Sequence, residues 1–179
     1  MDMKNLVEQL EGLFDGVHAC LQAKLYMPSL ILIYSTMDIV GSLERHPSEG
    51  TRASFTRWVE SYLLPASSLP CTAIELYAAR CAILHTLSTV ADLTQSGKAR
   101  PIVYVFGTWK AADLQSAIEA LGRMDVAIHV GDLLEAFIGG VKKFLGEIEH
   151  DAGRQQAIRP RVDLWLTAAR KIPVPIASR

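Results

Sequence analysis

Leu6, Leu10, Leu13, Phe14, Val17 and Leu21 recur at intervals of three and four, with Glu8, Glu11 and Asp15 on the other face. That spacing predicts an amphipathic helix over roughly residues 3–24. Pro28 suits the first turn of a second helix, where its missing N–H has no partner to lose, and the apolar run continues to Leu43. The stretch from Leu25 to Leu43 has a membrane-spanning length, but Asp38 lies in its middle, which argues against a span. Ser35, Asp38 and Ser42 form a polar strip along it. The turn residues His46-Pro-Ser-Glu-Gly50 precede a short helix carrying Phe55, Trp58, Val59 and Leu63, and Pro65 to Pro70 is a second loop.

The stretch from Thr72 to Ser88 reads as the central helix. Thr72 and Glu75 have capping-box spacing, and the residues beyond are rich in Ala and Leu and free of Gly and Pro. Ile74, Tyr77, Ala78, Cys81 and Leu84 make one apolar stripe, and Leu76, Ile83 and Leu87 a second on the opposite side. Burial on more than one face is therefore expected. His85 falls in the first stripe and Arg80 at the edge of the second, so two ionisable groups point into apolar surroundings. Each then needs a partner or lines a cleft. Asp38 is the candidate acid: its strip is a solvated groove, it sits in an internal salt bridge, or it faces a cleft shared with Arg80 and His85.

Further on, Ile102 to Phe106 and Val126 to Val130 have the β-branched and aromatic character of strands. A helix from Ala111 to Leu121 separates them, so residues 101–130 form a β-ribbon and helix insertion on a helical body. A long amphipathic helix follows from Asp132. Its Gly139-Gly140 pair is costly in a helix, and close packing against a neighbour would offset that. Residues 151–179 form a basic extension, with six cations against two acids, in which Pro160 is expected to separate two helical pieces and Ile172 to Ile176 to be extended. The whole, residues 1–179, reads as one mainly α domain: an up-and-down helical bundle with a small two-stranded β appendage.

Charge and cysteine usage narrow the function. Eighteen Lys and Arg against nineteen Asp and Glu leave no global basic field, so any nucleic-acid site must be local. Cys20, Cys71 and Cys81 lack C-x-x-C spacing and suit a reducing compartment, and no signal peptide opens the chain, which points to a cytoplasmic protein. The five histidines have no metal-ligand spacing, and glycine-rich phosphate loops and the G-x-S-x-G elbow are absent, so neither metal nor cofactor is expected.

Arginine binds phosphate oxygens with permanent charge, and histidine exchanges protons near neutral pH. Arg80 and His85 could thus flank an RNA phosphate. His85 would move a proton to or from the 2′-hydroxyl or the leaving oxygen, while Arg80 stabilised the charge growing on phosphorus. The bland alternative has Arg80 paired with an acid such as Asp38 and His85 capping terminal carbonyls. Lys98 and Arg100, in the Ser96-Gly97-Lys98-Ala99-Arg100-Pro101 loop, are candidate substrate contacts.

Arg80-Cys-Ala-Ile-Leu-His85, near the end of a buried helix, resembles the R-x4-6-H signature of the HEPN superfamily. The surrounding phrase, Leu76-Tyr-Ala-Ala-Arg80, His85-Thr86 and Ser96 to Pro101, is similar to bacterial proteins associated with that superfamily. The resemblance, over about residues 25–150, implies a bundle of four or five helices and a homodimer in which both Arg/His pairs line one composite cleft. It also implies metal-independent endoribonuclease activity, in toxins or defence effectors with an antitoxin or other protein partner. Other members are inactive, and bind ligands such as nucleotides or act as scaffolds. By that likeness Arg80 and His85 are the catalytic pair and Asp38 the supporting polar residue. Cys81 departs from the polar residue frequent at that position.

Overall fold

The computed structural model describes residues 3–169 and is mainly α-helical with a small two-stranded sheet. Helices α1 (Met3–Gln22) and α2 (Tyr26–Leu43) are joined by a three-residue turn in which Lys24 takes a left-handed backbone. So short a link leaves them antiparallel neighbours. α1 buries Leu6, Leu10 and Val17, as the spacing predicts. α2 is long and apolar enough to cross a membrane, yet half of it is buried inside the protein, and Ser29, Ile33, Tyr34, Met37 and Val40 are core.

Helix α3 (Thr51–Trp58) passes into a π-helical turn at Val59–Leu63 and a 3-10 turn at Leu64–Ala66. The central helix α4 (Ala73–Thr86) follows, then the short α5 (Asp92–Gln95). Strands β1 (Ile102–Val105) and β2 (Val126–His129) pair in parallel, Ile102 opposite Val126 and Val105 opposite His129, with α6 (Ala111–Ala120) as the crossover. Parallel strands require such a crossover, and a helix is the usual one. The Tyr34 and Tyr104 hydroxyls, 2.5 Å apart, join this unit to α2.

β2 runs directly into α7 (Val130–Glu149), whose N-terminus is capped by His129. His129 Nδ1 accepts from the Gly131 N–H, which leaves Nε2 protonated to donate to the Gly107 carbonyl at 3.0 Å. α7 buries Leu133, Leu134, Phe137, Val141, Phe144 and Ile148 along one stripe. The Trp58 ring packs edge-on to Phe137 and Phe144, with centroids 5.7 and 6.2 Å away.

Contrary to the expectation from Pro160, α8 (Ala152–Ala169) is one continuous helix. Docking holds it together on both sides of the proline. Ile158 and Val162 are fully buried, and Arg154 bonds Glu44 (2.6 and 3.0 Å), Glu147 (3.1 Å) and the Tyr62 hydroxyl (2.7 Å). Arg161 donates to the Leu43 and Arg45 carbonyls. The stretch Ile172 to Ile176, read as extended, lies outside the described residues.

The glycine pair of α7 divides into two cases. A methyl on Gly140 would meet the backbone of Tyr62 and Leu63 at 3.1 Å, whereas one on Gly139 would meet nothing within 4 Å. Gly140 is therefore what lets the π-helical turn lie against α7. Gly140→Ala is expected to destabilise by about 1–3 kcal/mol through overpacking. Gly139→Ala is expected to stabilise by about 0.5–1 kcal/mol through reduced backbone entropy in the unfolded chain. Urea denaturation of the two variants checks both signs.

Candidate functional site

The capping box at the start of α4 forms as predicted: the Thr72 hydroxyl accepts from the Glu75 N–H, and the Glu75 carboxylate accepts from the Thr72 N–H at 2.8 Å. The helix ends at Leu87, whose left-handed backbone (φ 51°) allows the Ser88 N–H to reach the Ala82 carbonyl. Such a turn is usually glycine, because a Cβ makes it strained. His85 therefore sits in the last turn, two residues before a sharp stop.

The apolar residues of α4 that are core are Ala73, Leu76, Ala78, Ala79, Ala82 and Ile83. Of the first stripe only Ala78 is buried, Ile74, Tyr77, Cys81 and Leu84 being half-buried; Leu87 of the second stripe is exposed, and so is His85, which apolar neighbours do not enclose. Periodicity locates two apolar stripes without ranking them, and the tertiary packing buries a face that takes in parts of both, with Ala78, Ala79 and Ala82 lying between them.

Arg80 projects from the half-buried face. Its Nη2 donates to Asp38 Oδ2 at 2.5 Å, with the arginine side chain 13% and the aspartate 25% exposed. Burial alone would lower the Arg80 pKa, but the hydrogen bond and charge of Asp38 outweigh it and raise it further. Arg80 Nη1 lies 3.2 Å from His85 Nε2 and 3.8 Å from the Cys81 sulfur. A guanidinium can only donate, so in this contact Nε2 is the acceptor. Asp38, Arg80 and His85 thus form one chain of contacts, while His85 caps no terminal carbonyl among the described residues. Asp38 Oδ1 and Arg80 Nε are buried with no hydrogen-bond partner.

Two open clefts flank this chain. One, of about 400 Å³, is lined by Ser35, Asp38, Ser42, Arg45, Thr51 and Arg80. The other, of about 800 Å³, is lined by Thr51, Arg52, Tyr77, Cys81 and His85 among others. Burial and Cys81 both push up the Tyr77 hydroxyl. Arg45, whose Nη1 donates to the Thr51 hydroxyl at 3.1 Å, is a cleft residue outside the predicted set. It extends the strip of Ser35, Asp38 and Ser42 by three residues, which is the signal that could have found it.

The two cations proposed as substrate contacts are placed elsewhere. Arg100 is committed to Glu75, with Nε to Oε1 at 2.5 Å and Nη2 to Oε2 at 3.1 Å, and it also donates to the Pro70 carbonyl. This anchors the 96–101 loop to the start of α4, the end opposite His85. Lys98 is exposed and lines neither cleft. Among the described residues, no group of three or more His, Cys, Asp or Glu is arranged to hold a metal ion.

Burial favours the neutral form of Glu75, but the hydrogen bonds from Arg100 and Thr72 outweigh it and hold its pKa below the usual carboxylate range. Burial pushes the nearby Cys71 thiol up to about 12, aided by the Glu75 charge, so Cys71 is an inert neighbour. A folded-state pKa below the unfolded one stabilises above the unfolded value, about 4.3, and that contribution is lost as the pH falls through the folded value. Glu75→Gln is thus expected to cost about 1–2 kcal/mol at pH 7, allowing for the half-exposed Arg100. It should also flatten the loss of stability between pH 5 and pH 3 in thermal melts.

Comparison with protein families, curated proteins and solved structures finds no match to this chain. The chemistry of the site rests on its own geometry.

Proposed function

We propose that the protein is a metal-independent endoribonuclease of HEPN type, acting through Arg80 and His85. The observation that carries this reading is the contact between Arg80 Nη1 and His85 Nε2 at the mouth of an open cleft. It pairs a permanent cation with a histidine nitrogen in its basic, unprotonated form. An incoming phosphate would draw the Arg80 donors to its oxygens and free Nε2 to accept the proton of the adjacent 2′-hydroxyl. That oxygen then attacks phosphorus, the P–O5′ bond breaks, the 5′-oxygen leaves as a hydroxyl by taking a proton from water, and a 2′,3′-cyclic phosphate remains.

Asp38 is the positioning residue, since it holds one side of the Arg80 guanidinium and leaves Nε and Nη1 directed elsewhere. Arg45 and Arg52, which line the flanking clefts, replace Lys98 and Arg100 as the phosphate contacts. The half-buried stripe Ile74, Tyr77, Cys81 and Leu84 suits the approach of a second copy, which would build the composite cleft that the HEPN resemblance implies.

A second reading is favoured by the short Asp38–Arg80 contact itself. Here the pair is a structural lock in a non-catalytic, HEPN-like homodimeric module that binds a ligand or a partner protein. Incubation with a mixed RNA pool in EDTA separates the two. Cutting by the wild type that is lost in His85→Ala supports the nuclease, and no cutting across the pool supports the lock.

A further inference from the structure

A cleft rich in aromatic side chains lies away from Arg80 and His85, at the carboxyl end of β1, where the chain leaves the parallel sheet toward α6. Loops that follow parallel strands are where α/β units usually receive ligands. Here the loop turns at Gly107, which has a φ of 64°. The cleft holds about 460 Å³, within the range of small-molecule sites, and is lined by Tyr26, Tyr104, Phe106, Trp109, Lys110 and Asp113 with three aliphatic neighbours.

Its wall is a built aromatic surface. Tyr26 stacks on Phe106 with centroids 4.3 Å apart and planes at 26°. Tyr104 is held from behind by Tyr34. Trp109 stands beside them with 76% of its surface in solvent, a large cost in unburied apolar area for a side chain the core does not use. The rim carries one charge of each sign. Lys110, the extended N-cap residue of α6, and Asp113, in its first turn, have no ion-pair or hydrogen-bond partner for their side chains among the described residues. Both line the same cleft, so one small molecule that enters it can meet both charges.

We propose that this cleft binds a zwitterionic aromatic small molecule of the aromatic α-amino acid type. The ring lies against Tyr26, Phe106 and Trp109, the carboxylate meets Lys110, and the ammonium meets Asp113. Charge complementarity selects this occupant: an anionic or a cationic aromatic satisfies one rim charge and is repelled by the other. The assignment is independent of the ribonuclease reading.

Calorimetric titration of the purified protein with L-phenylalanine, phenylacetate and phenethylamine tests it. Phenylalanine should bind at least about tenfold more tightly than either analogue, each of which lacks one charge. Lys110→Ala should erase the preference for phenylalanine over phenethylamine, and Asp113→Ala the preference over phenylacetate. Trp109→Ala, at an exposed position, should weaken all three. Absence of binding at millimolar phenylalanine overturns the assignment. So does binding that Trp109→Ala leaves unchanged. A shift in sedimentation of Trp109→Ala without amino-acid binding would assign the cleft to a protein contact instead.

Discussion

Replacing Arg80 by alanine is expected to destabilise the protein by about 3 kcal/mol, the lower end of what loss of one partner from a buried ion pair costs. The lower end applies because Asp38 retains a quarter of its side-chain exposure. The loss is that of a carboxylate left half-buried without its cation, since Asp38 Oδ1 already lacks a partner in the intact protein. In a domain of this size the change corresponds to a fall in melting temperature of roughly 6–12 °C. Asp38→Ala should cost a similar amount, because it strands the guanidinium. The double variant should cost little more than either single one, since the second substitution removes a charge already unpaired. Chemical denaturation of the three variants measures this coupling, and strictly additive losses would show that the two groups do not depend on each other.

His85→Ala should behave in the opposite way. His85 is exposed in the last turn of α4, and among the described residues its side-chain hydrogen bond is with Arg80, which keeps Asp38. Stability should change by less than about 0.5 kcal/mol, as for surface substitutions generally. RNA cleavage should fall by about 10²- to 10⁴-fold, the usual contribution of a general base or acid. Thermal melts with initial-rate assays on the same preparations check both halves. A His85→Ala protein that melts with the wild type and cuts as fast removes histidine from the chemistry. The contrast with Arg80 is useful, because loss of activity in Arg80→Ala alone could arise from unfolding.

How far the sequence carried the fold can be followed residue by residue. The first helix, the Thr72–Glu75 box and both strands were legible because each depends on near neighbours: heptad-like spacing, a three-residue offset, and runs of β-branched side chains. The continuity of α8 through Pro160 was not, since it comes from Arg154 and Arg161 reaching residues more than a hundred positions away. The glycine pair announced close packing, but only the partner backbone at Tyr62 and Leu63 shows that Gly140 needs it and Gly139 does not.

The candidate site divides in the same way. Asp38 was marked by its polar strip and Arg80 by its place at the edge of an apolar stripe, and they meet. The exposure of His85 was hidden, because nothing local shows which stripe of α4 faces the core. Arg100 looked like a free loop cation, yet the same Glu75 that caps the helix also binds it across 25 residues. The Tyr34–Tyr104 pair has no sequence signature at all, since neither tyrosine stands in a pattern that requires the other.

The fate of the 2′-hydroxyl tests the catalytic reading most directly. The purified protein is incubated in EDTA with an RNA of defined sequence and with its 2′-deoxy counterpart. The expected result is cleavage of the RNA to fragments ending in 2′,3′-cyclic phosphate, with the deoxy strand intact. An RNA left whole, or scission that cuts the deoxy strand equally, would contradict a reaction in which His85 activates the neighbouring hydroxyl.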